Sequence, residues 1–130
     1  MYHSESNGYA IQVKTVFDLD QSNPLQRHYL FRYTITITNV AGTPAQLMAR
    51  TWHIEDGTGD VRKVEGPGVI GEHPWFGRGE SFKYSSFCPL PTLAGKMRGQ
   101  FHMRAEDGTE FSIDTPSFRF VVPEALIDRY

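Results

Sequence analysis

The chain has little of most things that would announce a function. It carries one cysteine, Cys88, among 130 residues. That excludes an internal disulfide and any zinc site built on several cysteines. No apolar run comes near the ~20 residues that a membrane-spanning helix needs. The first ten residues, MYHSESNGYA, are polar and lack the apolar centre of a secretory signal. A net charge of −2 gives no electrostatic case for nucleic acid or for an anionic membrane surface. Helical spacing of apolar residues is almost missing, and so are internal repeats, linkers and low-complexity tracts. What remains is the expectation of one cytoplasmic domain with no membrane insertion. At this length folding buries roughly two thirds of the unfolded surface, so neither metal nor disulfide is required for stability.

What the chain does have is alternation with period two. In "HYLFRYTITITN" the residues Tyr29, Phe31, Tyr33, Ile35 and Ile37 fall on one side, with Leu30, Arg32, Thr34, Thr36 and Thr38 on the other. A β-branched and aromatic run of this kind reads as a long strand with one buried face. The pattern recurs at Ile11, Val13 and Phe17, at Phe82 and Tyr84, at Met97, Phe101 and Met103, at Phe111 and Ile113, and at Phe118, Phe120 and Val122. Turn residues separate the runs: Ser22-Asn23-Pro24, "AGTP" from Ala41, "EDGTGD" from Glu55, "GRGE" from Gly77 and "EDGTE" from Glu106. Short strands with frequent turns and no crossover helices predict an all-β fold. It is an antiparallel β-sandwich of about seven to eight strands, immunoglobulin/fibronectin-III-like, with Trp52 as a core plug. Only "PEALIDRY", with Pro123 as its start, has room for a helical turn. The expected divisions are a flexible segment over 1–8, one domain over 9–124 and a tail over 125–130. One hairpin can be set in register. Pairing Met103 with Phe111 puts Phe101 opposite Ile113 inside and Arg104 opposite Glu110 outside. It leaves Glu106, Asp107 and Gly108 as a three-residue loop that ends on a left-handed glycine.

The stretch "EGPGVIGEHPW" contains Gly66, Gly68 and Gly71 in the order G-x-G-x-x-G. That is the spelling of a dinucleotide-binding turn, and the letters work only between a strand and a helix. Here Pro74, Gly77 and Gly79 follow and prevent a helix of useful length. The expected reading is a glycine-rich connection between edge segments. The alternative is a backbone nest for an anion, a nucleotide or pyrophosphate, with Arg62, Lys63 and His73 near in sequence.

The other candidates are sparse. His3, His28, His53, His73 and His102 share no metal-ligand spacing, and no metal or cofactor is expected. His53 and His102 are expected to point outward from neighbouring strands that can bring them together; they read as solvated side chains, with a weak divalent-ion contact as the functional alternative. Cys88 has no helix N-terminus to activate it and reads as a packed small hydrophobe. Glu55-Asp56 and Glu106-Asp107 sit in turns, where such residues favour the turn itself. With no G-x-S-x-G and no carboxylate dyad, nothing points to an enzyme. A stripe on "KMRGQFHMR" places Lys96, Arg98, Gln100, His102 and Arg104 on one outward face. It reads either as a solvated face partly neutralised by Glu110 and Asp114 or as a docking face for an acidic protein partner. Trp75 and Phe76 follow Pro74 in a loop closed by Gly77 and Gly79. They read either as a cap on one end of the sandwich or as an exposed partner anchor.

Taken in order, "YLFRYTITITN", "ARTWHIEDGTGDVRKVEGPGVIGEHP", "GESFKYSSFCPL", "GKMRGQFHM" and "FSIDTPSFRFVVP" resemble the ApaG family over nearly the whole chain. Two positions depart from many relatives: Arg78-Gly79-Glu80 stands for a Pro-Gly-Glu turn, and Phe87 for a small residue. The resemblance implies a fibronectin-III-like sandwich. It also implies a non-enzymatic protein-interaction module, since related domains occur in eukaryotic F-box and DNA-polymerase-interacting proteins. Bacterial members are linked to cobalt and magnesium efflux or resistance, and their gene often neighbours a diadenosine tetraphosphate hydrolase. A pyrophosphate-binding proposal for the family would fall on Gly66, Gly68 and Gly71.

Overall fold

The computed structural model describes residues 1–127. Ten strands form two antiparallel sheets. The first holds β1 (Tyr2–Ser6), β2 (Tyr9–Phe17), β3 (Tyr29–Asn39) and β7 (Ser81–Leu90) in the order β1-β2-β3-β7. The second has the order β10-β8-β4-β5, from β4 (Ala45–Asp56), β5 (Val61–Pro67), β8 (Ala94–Ala105) and β10 (Phe118–Val121). The short β6 (Trp75–Phe76) continues the β5 side of β4, and β9 (Glu110–Asp114) continues the β10 side of β8. Each edge of the second sheet is thus broken into two pieces. That, with β1, is why there are ten strands and not seven or eight.

The alternation sets which face is buried. Phe31, Tyr33, Ile35 and Ile37 of β3 enter the core, with Ile11 and Val13 beside them. Opposite lie Leu47, Trp52, Ile54, Met97, Phe101, Met103, Phe118 and Phe120. Trp52 is the centre of this layer. Its ring meets Tyr33 at 5.9 Å, Phe101 at 5.7 Å and Phe118 at 5.9 Å, all edge to face, the geometry that aromatic quadrupoles favour. The hairpin register holds residue for residue: Phe101 faces Ile113, Met103 faces Phe111 and Arg104 faces Glu110. Gly108 closes the turn at φ +88°.

Two boundaries differ from expectation. The segment expected to be flexible, 1–8, contains β1, whose Ser6 pairs with Tyr9 around Asn7-Gly8. Asn7 and Gly8 have φ of 49° and 79°, the two positive values of a type I′ turn, and Asn-Gly is the strongest short signal for that hairpin. Ser4 Oγ donates to the Asp114 carbonyl and Asn7 Nδ2 to the Ser112 carbonyl, tying β1 across to β9. At the other end, α1 (Glu124–Ile127) is a single turn, with Leu126 packed on the core. The remainder of the expected tail, 128–130, lies outside the described residues.

Candidate functional site

The glycine motif lies where the β5–β6 edge is broken. On the facing strand β4 the inward phase changes from Ala45 and Leu47 to Trp52 and Ile54. A bulge at Met48 absorbs the extra residue, between the pairs Leu47–Met103 and Ala49–His102. The bulge turns its polar groups toward the loop. Gly68 N–H donates to the Met48 carbonyl at 2.9 Å, and Leu47 N–H to the Pro74 carbonyl at 2.9 Å. His73 Nδ1 lies 3.1 Å from the Leu47 carbonyl, so that nitrogen carries the proton.

Each glycine has a separate structural reason. Gly66 lets the Arg50 guanidinium lie flat on the backbone: a Cβ there would sit 3.0 Å from both Nη1 and Nη2 and 3.1 Å from Cζ. Gly68, at φ +56°, passes so close to the Glu72 carbonyl that a Cβ would collide with it. Gly71 has φ +76° and follows Ile70 at φ +44°. Together they form the two-residue tip of a hairpin closed by Val69 N–H to Glu72 O (2.9 Å) and Glu72 N–H to Val69 O (2.8 Å). The amides of Val69 and Glu72 are therefore consumed inside the loop and that of Gly68 on β4, and Val69 is fully buried beneath the hairpin. The carbonyls of Pro67 and Gly68 both accept from Arg50 Nη1 at 2.9 Å. At Pro67 and Gly68 the motif presents acceptors to a cation, the opposite polarity to that which holds a phosphate.

Ile70 is the misfit in this hairpin. A β-branched residue in the left-handed region is strained, and it is exposed. Ile70→Asn is expected to raise stability by about 1 kcal/mol, the scale of the left-handed penalty, as read by urea denaturation. An unchanged or lowered midpoint would show that the Ile70 side chain contributes contacts that offset the strain.

Trp75 and Phe76 separate. Phe76 turns inward, 1% exposed, and packs edge to face on Tyr9 at 5.9 Å. Of the two readings, cap and partner anchor, its burial fits the cap and corrects the anchor. Trp75 remains 45% exposed. It pairs with Gln46, which pairs with Arg104 on β8, so Trp75 and Arg104 flank one row of the outer face of the second sheet. Lys96 and Arg98 lie farther along that face. Lys96 is bonded to Glu55 at 3.3 Å, whereas Arg98 and Arg104 have no ion pair among the described residues.

The histidines do not converge. His53 pairs with Arg98 and His102 with Ala49, with the Thr51 position between. His102 was expected to be solvated. It is half-buried instead, with Nε2 2.7 Å from Thr51 Oγ1 and Nδ1 2.8 Å from Ser112 Oγ. Cys88 is buried, and burial pushes its thiol pKa up, away from reactivity. The turn carboxylates are occupied locally. Asp56 accepts from Thr58 Oγ1 at 2.6 Å and Thr58 N–H at 2.8 Å, which holds its pKa down. Asp107 does the same with Thr109 N–H at 2.9 Å.

Comparison with known proteins is consistent across methods. The family model for the ApaG domain matches residues 19–105. A Protein ApaG of Nitrosomonas eutropha is 43% identical over 97% of this chain and 99% of its own length. One from Dechloromonas aromatica is 45% identical over 95% and 98%. The solved structure of an ApaA protein from Bordetella pertussis superposes with a TM-score of 0.85 at 38% identity, covering 95% of this chain and 97% of that one. The chain belongs to the ApaG family. Within this ApaG domain, the residue that sequence reasoning missed is Arg50. It is in phase with Trp52 and Ile54, and so points inward from β4, a charge in a core register. The signal was present: Leu47 and Trp52 cannot share a face of a regular strand, and the bulge they demand moves Arg50 inside.

Proposed function

We propose that this ApaG domain is a non-enzymatic protein-interaction module of the cytoplasm, docking a partner on the outer face of its second sheet. The observation that carries the reading is Trp75, 45% exposed and in one cross-strand row with Arg104. Aromatic and arginine side chains are the residues most enriched at binding hot spots. Arg98 and Arg104 supply positive charge for an acidic rim on the partner. An effect on cobalt and magnesium tolerance would then run through that partner, since no helix among the described residues is long and apolar enough to cross a membrane. The test is cross-linking and affinity capture from the native cell, with the wild type beside Trp75→Ala, Arg104→Glu and a control on the opposite sheet, Thr36→Ala. The expected result is one partner kept by the control and lost from both surface variants. A partner retained equally by all four proteins would overturn the reading.

The engaged amides of Gly68, Val69 and Glu72 favour this over nucleotide or pyrophosphate binding. Titration with ATP or diadenosine tetraphosphate, followed by amide NMR, is expected to give no saturable shifts centred on Gly66, Gly68 and Gly71 at micromolar ligand. Such shifts would revive the small-ligand reading.

A further inference from the structure

We propose that the β5–β7 side of the sandwich binds a carboxylate, held by Arg50 with Tyr84 and Trp52 as further donors. β1 and β2 face β9 and β10 on one side of the molecule. The sheet edges β7 and β5 therefore lie together on the other, bridged by Arg62 Nη2 donating to the Pro89 carbonyl at 3.1 Å. Behind that edge three residues that carry donors neighbour Phe101. Arg50 is its register partner on β4. The Tyr84 and Trp52 rings stand 6.5 Å and 5.7 Å from the Phe101 ring. The Arg50 charge acts on the phenols of both Tyr33 and Tyr84, opposing the effect of burial.

Two of these donors are orphans. Tyr84 Oη and Trp52 Nε1 are buried with no hydrogen-bond partner, in residues only 5% and 3% exposed. The direction of the indole follows from Gly99, where a Cβ would lie 2.7 Å from Trp52 Cε3. That edge of the ring faces β8, so the Nε1 edge faces β5. The third donor is charged. Arg50 Nη1 is committed to the Pro67 and Gly68 carbonyls, while Nε and Nη2 have no protein acceptor, and no carboxylate pairs with Arg50, among the described residues. A half-buried cation with two donor nitrogens unused and no carboxylate partner, together with two buried groups left unpaired, is a demand for an anion. The planar fork of a guanidinium edge suits the two oxygens of a carboxylate. The same chemistry can come from a free small acid or from an acidic side chain of another protein. The site stands apart from the outer face that carries Trp75, and neither proposal depends on the other.

The indole N–H of Trp52 reports directly, because the chain has only two tryptophans and Trp75→Phe assigns the pair. The probes are sodium formate and acetate against sodium chloride at constant ionic strength, followed on ¹⁵N-labelled protein. The expected result is a saturable shift of the Trp52 indole peak with formate and acetate while the Trp75 peak stays still. Arg50→Gln is expected to abolish the shift. Tyr84→Phe is expected to weaken binding by about tenfold, near the lower end for a hydrogen bond to a charged group. Tyr84→Phe should also keep or raise the ligand-free melting temperature, since the hydroxyl it removes has no partner. It therefore remains decisive even if Arg50→Gln fails to fold. Acetate binding without response to a capped glutamyl tripeptide identifies a free acid, and tighter peptide binding identifies a side chain. Any of three results would overturn the proposal: a peak that moves equally with chloride, a response to inorganic phosphate alone, or an indole N–H that shows cross-relaxation with water and no response to any carboxylate.

Discussion

Phe76→Ala is expected to cost about 3–5 kcal/mol of unfolding free energy, the range for deleting a buried aromatic ring. Trp75→Ala, one residue earlier, should cost less than about 1 kcal/mol, as surface substitutions do. The asymmetry comes from β6, a strand of two residues. Paired to Ala45 and Gln46, it must send its side chains to opposite faces. Phe76 takes the inner one, against Tyr9, and its carbonyl accepts from Asn39 Nδ2 at 3.2 Å. Asn39 is fully buried and also accepts from Gly42 N–H at 2.8 Å. Emptying the Phe76 site therefore loosens a polar network as well as leaving a cavity. Guanidinium denaturation of both variants, with partner capture on Trp75→Ala, checks the pair. Equal losses of stability would mean that Trp75 too is a structural cap and that the docking face lacks its anchor.

That pair of residues marks where sequence reading stopped. Long alternating runs were legible because one buried face fixes their register. Hence β3 and the β8–β9 hairpin were recovered residue for residue. "WF" offers no such run, so its in-out phase could be known only from its partner on β4. Asn7-Gly8 was legible and passed over: a polar N-terminal run does not look like core, yet its turn chemistry alone predicts β1. The glycine motif failed as a functional signal for a physical reason. Its three glycines answer three unrelated needs, namely a flat guanidinium, a close carbonyl and a left-handed hairpin tip. Only the folded chain shows that the Pro67 and Gly68 carbonyls turn to Arg50 while the Gly68, Val69 and Glu72 amides are spent. Arg50 itself was hidden by a single bulge residue.

Gly99→Ala should be the most damaging single methyl in the molecule, at least about 3 kcal/mol, the upper end of overpacking penalties. A Cβ at this position would collide with the Thr51 carbonyl oxygen and lie 2.7 Å from Trp52 Cε3. The first obstacle is backbone in the β4–β8 ladder, which moves only by breaking strand pairing. The second is the ring on which Tyr33, Phe101 and Phe118 all pack. Gly99 is also where the opposite edge is broken: Gly99 N–H donates to Thr115 Oγ1 at 2.9 Å, and Thr115 N–H returns to the Gly99 carbonyl at 3.0 Å. The missing side chain thus lets the β9–β10 connection cross the edge and lets Trp52 lie over β8. Gly59→Ala is the control. It adds a methyl at φ +93° with nothing within 4 Å, so it carries backbone strain alone, about 1 kcal/mol. Adding Trp52→Phe to Gly99→Ala then divides the two collisions. Relief by the smaller ring, beyond the sum of the single effects, assigns the loss to the indole. An additive double variant assigns it to the Thr51 carbonyl. A Gly99→Ala protein no less stable than Gly59→Ala would mean that Trp52 does not occupy the position on which both the core packing and the aim of its indole N–H toward β5 depend.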